Sequence, residues 1–213
     1  MEMTRRDRER LAREEEIVSA AENIFHQKGF EAASMEEIAK AAQFTKRTLY
    51  QYFENKEDLY FAVVLKGYKR LFEYLSEATD NKQNGFIRIQ QTSKAYYKFF
   101  KGNPETFRAF SNWGYVKKSA KEESKKKYEL ADFNNLMFKS VEKVIEEGKV
   151  DGSIKSELNS EKAAFSLVFM LTGFMNQLSS TGDSFTRHFS LDIEAFSHYS
   201  IEMLLGTLKN ERL

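Results

Sequence analysis

The sequence predicts an all-α protein of about nine helices, and three observations carry that expectation. Proline occurs once, at Pro104, and glycine only 10 times in 213 residues, so the residues that punctuate strands and tight turns are scarce. Apolar residues recur at i, i+3 and i+4 along most of the chain, which is the period of a helix with one buried face. Where that period breaks, helix-capping residues stand: Gly29, Ser34, Thr45, Asn55 and Asn159.

Composition narrows the function classes. A chain with 41% hydrophobic residues can bury one substantial core, or a small domain joined to a larger one. The net charge is +1, so no global field draws the molecule to nucleic acid or membrane, and any such binding must rest on a local cluster. The absence of cysteine removes disulfides, thiolate metal sites and thiol nucleophiles together, which fits a reducing cytoplasm. Residues 1–16 are dense in Arg and Glu and do not read as a secretory signal. The longest apolar-rich run, residues 163–175, contains Ser166, Thr172 and Gly173 and falls short of the roughly 20 residues that span a bilayer. A soluble, cytoplasmic protein with no membrane partner is expected.

The first helix is expected over about residues 6–28, with Ile17, Ala21, Ile24 and Phe25 inward and Gly29 as its stop. Its start crowds Arg5, Arg6, Arg8, Arg10 and Arg13 among Asp7, Glu9 and Glu14 to Glu16. Most of these charges read as a solvated face with i,i+4 ion pairs. Arg5 and Arg6 also read as an arm reaching a phosphate.

Residues 34–53 form the stretch around which the chain is arranged. Ser34 and Glu37 have capping-box spacing, and Ile38, Ala39 and Ala42 give a short apolar face. Gln43 and Phe44 make a corner, Thr45 caps the next helix, and Leu49 and Phe53 face inward at i,i+4. Two short helices joined by three or four residues have the dimensions of a helix-turn-helix, or of a plain helical corner. Side-chain chemistry favours the former. Thr45, Lys46, Arg47, Thr48 and Gln51 lie on faces left free by Leu49 and Phe53, and such groups meet base edges or phosphates in a major groove. Tyr50 and Tyr52 carry hydroxyls that can reach the phosphate backbone, and Lys56 lies just beyond.

The run Thr45, Lys46, Arg47, Thr48, Leu49, Tyr50, Gln51, Tyr52, Phe53, Glu54, Asn55, Lys56, Glu57, Asp58, Leu59 resembles the signature of TetR-family transcriptional regulators. Ile17 to Phe25, Gly29, Phe30 and Ser34 to Ala42 match the rest of that family's DNA-binding domain, so the resemblance covers roughly residues 10–65. It implies phosphate contacts from Ser34, Tyr50, Tyr52 and Lys56, and base-edge contacts from Thr45, Lys46, Arg47, Thr48 and Gln51. Where many members have a small residue this chain has Arg47, which leaves both base and backbone open to that side chain. Residues 1–54 hold nine Lys/Arg against eleven Asp/Glu, so a single head should bind DNA weakly.

Beyond the head, Asn55 and Asp58 cap a long helix to about residue 78, with Leu59, Val63, Leu71 and Leu75 in one stripe and Tyr60, Val64, Tyr68 and Phe72 in the next. Phe86, Ile89, Tyr96, Tyr97 and Phe100 line another helix, ended by Gly102, Asn103 and Pro104. A short helix with Phe107 and Phe110 is expected next, then a loosely ordered segment at residues 112–118. The mixed charges of residues 117–127 read as a solvated helix start rather than a second nucleic-acid patch. Leu130, Phe133, Met137, Val141 and Val144 mark a helix stopping at Gly148. A further helix begins at Asn159 or Ser160, and the last runs over about residues 190–208 with Ile193, Phe196, Ser200, Met203 and Leu204 on one face.

The resemblance implies a helix-turn-helix domain over residues 1–54 and a helical effector-binding and dimerisation domain over residues 55–213. The last two helices would pair with their copies, with Phe165, Phe169, Phe196, Met203 and Leu204 in the interface. A homodimer would also answer the charge deficit by gripping two half-sites of a palindromic operator in double-stranded DNA. The middle helices would enclose a small-molecule effector among Tyr96, Phe100, Phe107, Phe110, Trp113, Phe133 and Met137, although aromatic stripes also read as ordinary core. Repression relieved by a largely apolar or aromatic effector is the implied mode, with no cofactor. The competing readings are a helical ligand-binding or scaffold protein without DNA binding, and an enzyme. A di-iron bundle needs paired Glu-x-x-His units. Here Glu194 and Glu202 each stand four residues from His198, and neither a phosphate loop nor a nucleophile elbow is present. No catalytic or metal-binding residue is expected.

Overall fold

A computed structural model describes residues 3–119 and 124–211, with the side chains of Trp113, Tyr115 and residues 117–119 undescribed. Among the described residues there are nine α-helices: α1 (Arg5–Ala32), α2 (Met35–Ala41), α3 (Lys46–Leu49), α4 (Lys56–Glu77), α5 (Gly85–Gly102), α6 (Pro104–Ser119), α7 (Lys125–Val150), α8 (Ser160–His188) and α9 (Ile193–Gly206). The only non-helical pairing among them is an isolated antiparallel bridge between Ile154 and Lys209.

Side chains near each start account for most helix boundaries. Thr4 and Asp7 close a capping box on α1, and Ser34 and Glu37 do so on α2. Thr45, Asn84, Asn159 and Asp192 each accept a hydrogen bond from the third backbone N–H beyond them, opening α3, α5, α8 and α9. Gly29 interrupts α1 as the sequence predicts, at φ 78° and ψ 170°, a conformation that side-chain-bearing residues rarely adopt. One further turn follows it before Ala33 ends the helix.

Three expectations need correction. Residues 112–118 are not loose, because α6 continues through Ser119. Val116, 1% exposed, carries the buried stripe of Phe107 and Phe110 onward. Helix α7 does not stop at Gly148 but runs to Val150, because Gly148 lies against Gly85 and serves packing rather than termination. The last helix is shorter than residues 190–208: Ser190, at φ 54°, belongs to the stop of α8, and Asp192 caps α9. Of residues 117–127, positions 120–123 lie outside the described residues.

The chain divides into two compact units, one of residues 1–68 with 109–132 and one of residues 69–108 with 133–213. The first has a core of Ile17, Ala21 and Phe25 from α1, Ile38 from α2, Leu49 and Phe53, and the nearly solid run Leu59 to Leu65 of α4. Burying each large side chain contributes about 1.5–3 kcal/mol. Because seven consecutive residues of α4 are covered, the unit that holds residues 1–54 also takes in the first turns of α4. In the second unit α5, α8 and α9 pack together. There the Gly85 N–H donates to Asp151 at 2.7 Å and the Phe86 N–H to Ser153 Oγ at 3.0 Å, fixing the start of α5 on the turn after α7.

Candidate nucleic-acid interface

The corner between α2 and α3 is a Schellman stop. The Phe44 N–H donates to Ala39 O at 2.9 Å and the Gln43 N–H to Lys40 O at 3.2 Å, with Gln43 in the left-handed region at φ 57°. Helix α3 opens on Thr45, whose hydroxyl accepts from the Thr48 N–H at 3.1 Å and shares a hydrogen bond with the Thr48 hydroxyl at 2.9 Å. Past Leu49 the coil tightens rather than ending: Gln51 and Tyr52 N–H donate three residues back, and Phe53 N–H four back to Leu49. Leu49 and Phe53 are both buried to within 1% and hold this segment on the core.

With that inner face fixed, Lys46, Arg47, Tyr50 and Gln51 are exposed on the outer one. These four are the predicted contact residues that the fold leaves free to read a groove. Thr45 and Thr48 are brought to the same face, but their hydroxyls already serve the cap. The Ser34 hydroxyl likewise sits within its capping box, 3.0 Å from the Glu37 carboxylate. Hydrogen bonds from Lys28 and then Ser34 hold that carboxyl below its usual range.

Lys56 departs from its expected phosphate role. Its ammonium donates to Phe30 O at 2.8 Å, Ala33 O at 3.0 Å and Glu31 O at 3.1 Å, and lies 4.5 Å from the Phe30 ring centroid. An ammonium has three donors, and all three close the carbonyl end of α1. Lys56 therefore seats α4 on α1, and the phosphate contact it was expected to make has no donor left to serve it.

Sequence reasoning named Arg6 as reaching a phosphate but missed two arrangements here. Arg6, Arg10 and Arg13, together with Asp7 and Glu9, line a cleft of about 520 Å³ completed by Gln51 and Tyr52, with Arg10 5.9 Å from the Tyr52 ring centroid. The signal was the i, i+4, i+7 spacing of those arginines. Arg5, by contrast, is held by Glu9 at 2.8 Å. The second arrangement surrounds Asp58, 3% exposed, which accepts from Ser124 Oγ at 2.7 Å, the Lys126 N–H at 3.2 Å and the Glu54 N–H at 3.3 Å. Lys126 in turn pairs with Glu14 at 2.7 Å. The start of α7 is thus fastened to the start of α4 and, through Glu14, to α1 within one unit, a long-range link that no local pattern announces.

The sequence model described as "Bacterial regulatory proteins, tetR family" matches residues 17–63, the segment containing this corner. Residues 17–63 thus carry the DNA-binding segment of the TetR family of transcriptional regulators. Among curated relatives, the HTH-type transcriptional activator FasR of Mycolicibacterium smegmatis is 32% identical over 114 residues, 50% of this chain and 50% of that protein. The HTH-type transcriptional regulator YhgD of Bacillus subtilis is 27% identical over 68% of this chain and 73% of its own. The chain therefore aligns with about half the length of the first of these. The fold is shared with the fatty acid degradation regulator FadR from Bacillus halodurans, at TM-score 0.68 and 17% identity, covering 92% of this chain and 99% of that one. It is also shared with the ketosteroid transcriptional regulator KstR2 of Mycobacterium tuberculosis, at TM-score 0.65 and 17% identity, covering 93% and 96%.

Of the predicted effector residues, Tyr96, Phe100, Phe107, Phe133 and Met137 belong to the second unit and Phe110 to the first. Tyr96, Phe100 and Phe107 pack edge to face, with Phe107 5.3 Å from Tyr96 and 5.1 Å from Phe100. The Tyr96 hydroxyl lies 3.1 Å from that of Thr172, and burial pushes it up to about 12 against the pull of that bond. Phe133 meets Phe72 at 5.9 Å, and Met137 is half-buried in the same unit. Phe110 stacks on Tyr68 at 4.0 Å in the first unit. The Trp113 side chain lies outside the described residues. Of the predicted interface residues, Phe169 and Met203 are mostly exposed and Phe165 partly so, while Phe196 and Leu204 are half-buried. Tyr199 at 70% and Met170 at 54% exposure extend the apolar face in a way the sequence did not single out. No helix among the described residues is long and apolar enough to cross a membrane.

Proposed function

We propose that this chain is a ligand-responsive repressor that binds a palindromic operator as a homodimer in the cytoplasm and is released by a small, largely apolar or aromatic effector. Residues 1–54 carry the DNA contacts, and residues 55–213 carry effector binding and dimerisation. The observation that supports this best is the outward set Lys46, Arg47, Tyr50 and Gln51, held rigid from behind by Leu49 and Phe53. Lys46 and Arg47 read base edges, and Tyr50 meets the backbone. The Tyr96, Phe100 and Phe107 cluster, with one hydroxyl inside an apolar wall, supports an effector of that chemistry. A coupling of about 1–3 kcal/mol gives a 5–150-fold change in DNA affinity.

Selection of bound fragments from a genomic library, with and without candidate apolar ligands, tests the reading. Recovery of one palindromic site that ligand abolishes is the expected result. Lys46→Ala with Arg47→Ala should then cost about 1–3 kcal/mol per base contact on that site. Failure to enrich any sequence would leave a helical ligand-binding protein without DNA activity. Activation is a second reading, favoured by the relative from M. smegmatis, which is named an activator. Transcription from the selected site in a purified system separates the two by sign.

A further inference from the structure

Apart from Glu14, which pairs with Lys126, no packing explains the first twelve residues of α1. From Arg5 to Glu16 no side chain is buried, Leu11 is 44% exposed, and the first fully covered residue is Ile17. The segment is nevertheless built as helix, opened by the capping box of Thr4 and Asp7. Hydrogen bonds from Thr4 and, more weakly, the charges of Arg6 and Arg10 hold the Asp7 carboxyl below its usual range, and its hydrogen bonds commit that anion to the cap. Glu9 is committed to Arg5. The two carboxylates that line the cleft are thus already engaged, while Arg6, Arg10 and Arg13 have no carboxylate within ion-pair distance among the described residues. Their spacing puts them on one face of α1, and that face meets Gln51 and Tyr52 at the end of the reading segment.

We propose that this cleft is a second seat for duplex DNA. Arg6, Arg10 and Arg13 take successive phosphates of the backbone flanking the bases that Lys46 and Arg47 read, and Tyr52 orients Arg10 beneath its ring. The proposal rests on the DNA-binding reading above and extends its contact set from the opening of α3 to its far end. Guanidinium groups suit this role because their planar donors match phosphate oxygens in pairs. It also answers the charge deficit of residues 1–54, because cations cluster at both ends of the reading segment while the acidic groups nearest them are internally engaged.

The test is the salt dependence of binding to two probes, the duplex recovered by the genomic selection and a short duplex of random sequence. Replacing Arg6, Arg10 and Arg13 together by Ala should lower the slope of log K against log salt by about 2.7 per head, about 0.9 for each phosphate no longer neutralised. The weakening should be similar on both probes, with discrimination between them retained. Arg8→Ala removes the same charge from the same exposed segment outside the cleft and should leave the slope near the wild-type value. The three arginines are exposed, so far-ultraviolet circular dichroism should be unchanged, and single substitutions carry the test if the triple one is poorly behaved. A wild-type slope in the triple variant overturns the proposal, as does an Arg8→Ala effect as large as that of any one cleft arginine. Binding of inorganic phosphate to the wild-type protein alone at low millimolar concentration, with an unchanged DNA slope in the variant, would make the cleft a small-anion site instead. If Lys46→Ala with Arg47→Ala abolishes discrimination while the triple variant binds as wild type, only this inference falls. If the wild-type protein binds neither duplex, the DNA-binding reading falls with it.

Discussion

Two single residues govern how the reading segment is held. Gln43 takes the left-handed conformation that ends α2, where a β-branched side chain is strained more than glutamine. Gln43→Val should therefore destabilise the first unit by about 1–2 kcal/mol, seen as a lower midpoint in thermal or denaturant unfolding. Lys56 is the other. Its position, within the signature from Thr45 to Leu59, suggested a phosphate contact, but its ammonium closes three carbonyls at the end of α1. Lys56→Met keeps the stem and removes the donors. It should cost about 1.5–3 kcal/mol of stability, the range for a hydrogen bond to a charged group, while leaving the salt slope of DNA binding near its wild-type value. A flattened slope with unchanged stability would return Lys56 to the phosphate set.

At the scale of elements, two close approaches matter more than any surface ion pair. A Cβ on Gly85 would stand 2.3 Å from the Gly148 Cα and 2.8 Å from the Val144 carbonyl oxygen, where only backbone could give way. Gly85→Ala should cost about 3 kcal/mol and loosen the start of α5 from α7, readable as faster amide exchange at Phe86 and Ile87. The Asp58 cluster ties the starts of α4 and α7 through one buried carboxylate. Asp58→Ala leaves the Ser124 hydroxyl and the Lys126 and Glu54 amides without that acceptor, for a loss of about 1–3 kcal/mol for each donor left dry. Because α7 runs without a break from Lys125 to Val150, the variant should also weaken the response of DNA binding to effector, measured as the ratio of affinities with and without ligand.

For the molecule as a whole, the proposed homodimer would rest on the exposed apolar face of α8 and α9. Phe169, Tyr199 and Met203 are 72%, 70% and 64% exposed, more apolar surface than single scattered residues on a monomer. Phe169→Glu with Met203→Glu should shift sedimentation from dimer to monomer. Because both side chains are exposed, helix content should persist. Operator affinity should drop with the loss of the second head, and a folded dimer with full affinity would place the interface elsewhere.

The sequence by itself determined the helices, several of their caps and the reading corner, because these depend on contacts within a few residues. Ser34 with Glu37, Thr45 with Thr48 and Gly29 are all local devices, and their spacing is written directly in the chain. The exposure of Lys46, Arg47 and Gln51 was legible too, since Leu49 and Phe53 fix which face turns inward. Only the tertiary structure decided which charges were already taken. Lys56 meets carbonyls more than twenty residues earlier, and Asp58 meets Ser124 sixty-six residues on. Phe110 stacks on Tyr68, forty-two residues earlier. Arg5 is matched within its own helix while Arg6, Arg10 and Arg13 face Tyr52. Such pairings depend on which helix faces meet, and the period of one helix does not carry that information.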